Sequence, residues 1–219
     1  ASRAEHSLTH DKPRFAFFQV FQPRGGGKRQ APTFDVIAPG VAKHEEEIVL
    51  APGAEPAADP NLVLRVAVAA AEFGLPIAPG TLRNLKKCPI GDRNWTDESR
   101  ELFIRLLASG PALLNVWEDI DFIDVPGKLI PEWLGVRNRP SASAAHRYTI
   151  DRHMVEVVTR LGRETPSGGR YDDRHYEALL LAGILHDIGK RPGVANHAAE
   201  GARHATVVVE RMGFDRDIV

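Results

Sequence analysis

The sequence predicts an all-α fold with a small β-hairpin near its N-terminus. Three observations carry that prediction. From Asp59 onward, apolar residues recur at three- and four-residue spacing. Before it lie two short β-branched runs, Phe34–Ala38 and Glu47–Leu50. Proline and glycine fall where helices would begin and end.

The elements follow in order. Pro39-Gly40 lies between the two β-branched runs and predicts a hairpin, with Glu45-Glu46-Glu47 as its solvated edge. Asp59-Pro60 supplies an N-cap and a first-turn proline, Leu62, Val63, Val66 and Ala70 form a helical stripe, and Gly74 ends it. A second helix starts near Thr81. A third covers Asp97–Ser109 with Leu102, Phe103, Leu106 and Leu107, and a fourth starts at Pro111 with Leu114, Trp117 and Ile120. Pro126–Leu134 predicts a short helix holding Trp133, and Arg137–Ala145 a linker or loop. Three more helices follow: Ile150–Leu161, Asp173–Ile188 stopped by Gly189, and Asn196–Met212 stopped by Gly213. Ser167-Gly168-Gly169 separates the first two. Gly25-Gly26-Gly27 has no adjoining helix and reads as a flexible turn rather than a phosphate loop, in a peripheral segment of about thirty residues.

Composition narrows the function classes. The chain has 219 residues, 43% of them hydrophobic, and a formal net charge of -1. That balance argues against a nucleic-acid binder, which would be basic. No apolar run approaches the ~20 residues that span a bilayer. The start, with Phe15–Phe21 its most aromatic stretch, has no signal-peptide core. The lone Cys88 cannot form an internal disulfide and reads as a structural thiol. A cytoplasmic protein is the expectation.

Chemistry concentrates at His186-Asp187, which closes the apolar run Ala178–Leu185 and leads into Ile188-Gly189-Lys190. A carboxylate beside an imidazole at the end of such a run is costly to bury without an opposing charge, and a divalent cation supplies one. Six of the nine histidines fall between positions 146 and 204. Helical spacing puts His153 on the face of Val157 and Leu161, and His186 on the buried face with Leu179 and Gly183. Asp187 flanks that seam, and His197 opens its helix in line with Gly201 and Val208. Ligands from three helices therefore converge. First ligands of one cation sit only ~2 Å from it, so the donor atoms of His153, His186 and Asp187 are expected within about 8 Å of one another. A nitrogen-and-carboxylate set without thiolate suits Mn²⁺, Fe²⁺, Mg²⁺ or Zn²⁺ rather than a structural zinc. Lys190 has two readings: neutralisation of a substrate phosphate, or a helix C-terminal lysine favoured by the dipole.

The pattern H-x32-HD with a later histidine resembles the HD-domain metal-dependent phosphohydrolases. A narrower resemblance rests on Leu129–Trp133, Val136–Pro140, His146–His153 and Ala182–Lys190. These stretches look like the central region of the bifunctional PII uridylyltransferase/uridylyl-removing enzymes. The helices before them, with Asp59-Pro60 and Gly74-Leu75-Pro76, resemble that family's helical connector, so the resemblance covers roughly residues 40–219. It implies removal of a uridylyl or adenylyl group from a tyrosine of the PII signal protein, with a divalent metal, Mn²⁺ or Mg²⁺, as cofactor and PII as partner. His153, His186, Asp187 and His197 match the metal site; Asp187, Lys190 and His197 are the catalytic candidates. His146 and Asp151 belong to the same signature without an assigned role. His175 and His204 match no motif position and read as surface or structural residues.

The implied organisation is an N-terminal extension with the hairpin (1–50), a helical connector (51–140) and the first part of an HD domain (141–219). The family's glycine-serine and paired-aspartate nucleotidyltransferase motif is absent, and Asp215 and Asp217 come too early for its later aspartate. The chain thus reads as a segment cut inside its HD domain, weak or inactive alone. Fraying is expected after about His197 unless a neighbouring chain or segment covers that surface, because Val208 and Val209 would lack the following helix and each exposed side chain forfeits roughly 1.5 to 3 kcal/mol of burial. Two rivals remain: a phosphohydrolase of free nucleotides, and a non-catalytic connector or regulatory module with a structural HD remnant.

Overall fold

The computed structural model describes residues 33–91, 95–140, 148–162 and 173–214, all within one compact unit. The glycine runs at 25–27 and 167–169, His146, and Asp215 and Asp217 lie outside the described residues. The fold is mostly helical, with eight α-helices among the described residues and one small antiparallel sheet.

The sheet has three strands where the sequence predicts two: β1 Asp35–Ala38, β2 Val41–His44 and β3 Glu47–Leu50, in that order. Pro39-Gly40 turns β1 into β2, and Glu45-Glu46 turns β2 into β3 in register His44↔Glu47. Both turn glutamates take positive φ (47° and 63°), a conformation that asparagine or glycine usually signals, so the turn chemistry hid β2. Val41 and Ala42 are fully buried. Gly40, at φ 75°, lies where a Cβ would meet Leu62 at 2.8 Å, which seats the sheet directly on the first helix.

That helix, α1 (Leu62–Phe73), is the core element: Leu62–Leu64 and Val66–Ala71 are all buried. A helix apolar nearly all round must be surrounded, and α1 packs on the sheet and on the helices Asp97–Leu107 and Ala112–Phe122. Gly74 ends it in the left-handed conformation, as predicted. Its start differs. Asp59 does not cap the helix; it accepts from the Asn61 backbone at 3.1 Å and from Arg65 through both oxygens at 2.7 Å. Asn61 in turn serves α3 (Asp97–Leu107), accepting from Ser99 at 2.7 Å and donating to Thr96 and Glu98. Thr96 and Ser99 close a reciprocal capping box there.

Helices α2 (Pro79–Leu85) and α4 (Ala112–Phe122) fall close to their predicted positions. The predicted helix at 126–134 is two pieces: α5 (Val125–Leu129) and a 3-10 turn, Pro131–Gly135. The break is at Ile130, whose φ of -129° reflects the aversion of a residue before proline to helical geometry. Trp133 is 1% exposed and meets Trp117 edge-on at 5.4 Å.

The described part of the predicted linker is tied down. Arg137 binds Asp121 and Asp124. Asn138, at φ 56°, donates its N–H to Asp151 at 2.7 Å, and the Ile150 N–H reaches the Arg139 carbonyl at 2.9 Å. Asp151 therefore gains a structural role as a buried carboxylate holding 136–140 against the helix that starts at Ile150.

Three helices complete the unit: α6 (Ile150–Leu161), α7 (Asp173–Leu185) and α8 (His197–Met212). Helices α6 and α7 meet at Gly183, where a Cβ would stand 2.7 Å from Leu161 and 3.1 Å from Val158. The surface of α8 is covered by neighbouring segments, the case in which no fraying is expected. Val208, Val209 and Met212 are buried, Arg100 of α3 donates to the Met212 carbonyl, and Arg211 pairs with Glu132. Cys88 is buried, and desolvation pushes its thiol up to about 11, which suits an inert structural thiol.

Candidate metal centre

The predicted continuation of α7 to Ile188 stops short. The helix ends at Leu185, and 186–189 form a turn in which Ile188 N–H bonds Leu185 and Lys190 N–H bonds Asp187. Helical spacing therefore misplaces the two motif residues. His186 is exposed rather than buried, with 35% of its side chain accessible, while Asp187 is buried at 10%. His153, near the start of α6, is half-buried, because the core face of α6 is Ile150, Met154, Val155 and Val158.

The turn nonetheless brings the three residues together. His153, His186 and Asp187 each offer one ligand atom, all within 4.8 Å of one another. Asp187 Oδ2 lies 3.4 Å from His186 Nε2 and 3.9 Å from His153 Nε2. The two imidazoles meet edge-on at 5.2 Å. Ligands ~2.1 Å from one cation stand at most ~4.2 Å apart, so both separations to Asp187 already fit a shared ion.

The tautomer fits as well. His186 Nδ1 lies 2.8 Å from the Gly183 carbonyl. A carbonyl only accepts, so Nδ1 carries a proton, and Nε2 is the nitrogen turned toward Asp187. Fixing one ring nitrogen to orient the other is the support that metal-binding histidines require. Lys190 Nζ is 2.7 Å from Asp187 Oδ2, so in this structure the lysine binds the carboxylate.

His197 is not in the group. It is exposed at the first residue of α8, and its carbonyl oxygen lies beside Gly189. The centre is thus built by α6 and the turn after α7, not by three converging helices. Of the unmatched histidines, His175 is exposed, and His204 is 8% exposed and bonded to Glu200.

Several supporting residues carried no chemical signal in the sequence. Gly189 has no room for a side chain: a Cβ would lie 2.2 Å from the His197 carbonyl and 2.3 Å from the Gly201 nitrogen. The backbone of the turn therefore rests on the first turn of α8. Arg191 donates to the carbonyls of Ile188 and Glu132, with its guanidinium lying over Gly135. Glu132 then grips Arg211 of α8 through two hydrogen bonds. The segment 131–135 so ties the turn to α8.

Comparison with known proteins agrees with this region's resemblance. The chain is 40% identical over 195 residues to the bifunctional uridylyltransferase/uridylyl-removing enzyme of Streptomyces coelicolor, covering 88% of this chain and 22% of the relative. The enzyme of that name from Mycobacterium tuberculosis is 38% identical over 176 residues, 80% of this chain and 21% of the relative. That from Corynebacterium glutamicum is 33% identical over 160 residues, 72% of this chain and 22% of the relative. No protein-family model and no solved structure matches. No described helix is long and apolar enough to cross a membrane. The chain spans about a fifth of the length of these curated relatives, and over that span it is homologous to the bifunctional uridylyltransferase/uridylyl-removing enzymes.

Proposed function

We propose that this chain carries an HD-type metal centre of a uridylyl-removing phosphodiesterase, within a larger cytoplasmic bifunctional nucleotidyltransferase. The observation that carries the reading is the convergence of His153, His186 and Asp187 within 4.8 Å, with the His186 tautomer fixed for ligation. The substrate would be a uridylyl or adenylyl group on a tyrosine of PII. Exposure of both imidazoles, 33% and 35% by side chain, supports a substrate presented on a protein surface.

His153, His186 and Asp187 would hold the divalent ion, Mn²⁺ or Mg²⁺. When bound, that ion supplies a nucleophilic water at neutral pH and offsets charge on the phosphoryl oxygens. The chain's own residues orient the reaction. The Gly183 carbonyl aims His186, the Gly189–Gly201 contact fixes the height of Asp187, and Lys190 supplies an ammonium for the phosphate. His197, exposed beside the turn, is free to meet the substrate. The phenolate leaving group, with a pKa near 10, needs little acid assistance.

In the longer protein, replacing His186 and Asp187 together by alanine is expected to abolish nucleotide removal from modified PII and to leave nucleotide addition intact. Loss of both activities in a folded variant would mean that the pair is structural.

A further inference from the structure

We propose that Lys190 is the resident counter-cation of Asp187 and competes with the divalent ion for that carboxylate, so that metal binding releases the ammonium to the substrate phosphate. The inference rests on the metal-centre reading and extends it to the order of events.

The geometry is direct. Lys190 Nζ and the two imidazole nitrogens all address the same oxygen, Asp187 Oδ2, at 2.7, 3.4 and 3.9 Å. Of the three, the ammonium alone is at bonding distance. A carboxylate with only 10% of its side chain exposed needs an opposing charge, and Lys190 provides it in this structure. A divalent ion ligated by the two histidines would take up the same charge. An oxygen ~2.1 Å from the ion and 2.7 Å from Nζ would hold two positive centres within about 4.8 Å of each other in a half-buried site. Coulomb repulsion at that separation disfavours joint occupancy.

Release needs no backbone movement. Lys190 follows the turn, its side chain is 28% exposed, and a four-carbon stem lets the ammonium swing to solvent or to an anion. Arg191 and Gly189 meanwhile keep the turn itself fixed. The ammonium would thus be sequestered while the centre is empty and presented once the ion is in place.

The test measures Mn²⁺ binding by calorimetry for the unmodified chain, Lys190→Met, Lys190→Gln and His186→Ala, at one pH and ionic strength. Removal of the competing charge is expected to tighten binding about tenfold, the ratio that corresponds to roughly 1.4 kcal/mol. His186→Ala should lose binding. Mn²⁺ should also raise the melting temperature of Lys190→Met more than that of the unmodified chain, because the variant's empty site leaves Asp187 unpaired. Unchanged or weaker binding in both lysine variants overturns the competition while leaving the centre standing. Failure of every protein to bind Mn²⁺ overturns the centre and the competition together. Should the variants not fold, crystals of the unmodified chain soaked in Mn²⁺ decide: Nζ still at about 2.7 Å from Asp187 Oδ2 beside a bound ion refutes the proposal, and a displaced Nζ supports it.

Discussion

The core around α1 and the turn after α7 are built on opposite plans. Around α1 the contacts are side chain on side chain: Leu62, Val66, Phe103, Leu106 and Leu113 are each 1% exposed or less. Around the turn the decisive contacts are backbone on backbone and charge on charge, with Gly189 against α8 and Asp187 against Lys190. Apolar contacts are non-directional and tolerate repacking within limits of volume. The turn has no such latitude, because its geometry depends on an absent side chain and on one carboxylate oxygen. Stability and the candidate chemistry should therefore respond to different substitutions.

The largest effect on stability is expected from Phe103→Ala, on the α3 face packed against α1. Loss of a buried phenylalanine costs ~3 to 5 kcal/mol, and urea denaturation should show it as a lowered midpoint. Mn²⁺ affinity of the protein still folded should change little; an affinity that collapses with stability would erase the distinction between the two regions. Next comes Gly189→Ala. Backbone atoms 2.2 and 2.3 Å from the new Cβ must move, at a cost of about 1 to 3 kcal/mol. The movement should separate Asp187 from the imidazoles, so Mn²⁺ binding is expected to fall more than stability does. Unaltered metal binding in this variant would show that the turn does not depend on α8.

A pH experiment sharpens the link between the regions. Burial alone would raise the Glu132 carboxyl, but its hydrogen bonds, chiefly from Arg211, hold it below the usual value of 4.5. A depressed carboxylate contributes stability that is present above its unfolded pKa and is lost as pH falls through its folded value. Glu132→Gln is expected to flatten the decline of stability below about pH 4.5. Equal acid slopes in the two proteins would place the acid-sensitive groups elsewhere. The smallest effect should come from Thr96→Ala, which removes one half of the α3 capping box and costs ~1 kcal/mol. Thermal melting should detect it, with metal binding untouched.

Much of the scaffold was legible because its signals are local. The left-handed Gly74 and Gly213 mark helix ends, and the α6 boundaries follow directly from its apolar period. Strand β2 was not legible, since two glutamates at positive φ occupy a turn that carries none of the usual residues. The gathering of His153, His186 and Asp187 was legible, though for a partly mistaken reason. Helical spacing put His186 inside, whereas the chain leaves the helix at Leu185 and points the ring outward. His197 was expected in that cluster; the gathered residues are His153, His186 and Asp187, and what His197 places beside Gly189 is its carbonyl oxygen. Long-range ties such as Glu132 to Arg211 have no local signature at all.

Gly183 meets two demands at one position. Its missing side chain sets how closely α7 lies on α6, and its carbonyl sets the direction of the His186 ring. One donor nitrogen of the cluster rides on α6 and the other two donors follow α7, so helix separation and ring orientation cannot vary independently. A force that parts the two helices would lengthen the span from His153 to Asp187 and turn His186 in the same stroke. The cluster is in that sense a mechanical gauge of the α6–α7 spacing, sensitive to whatever presses on either helix.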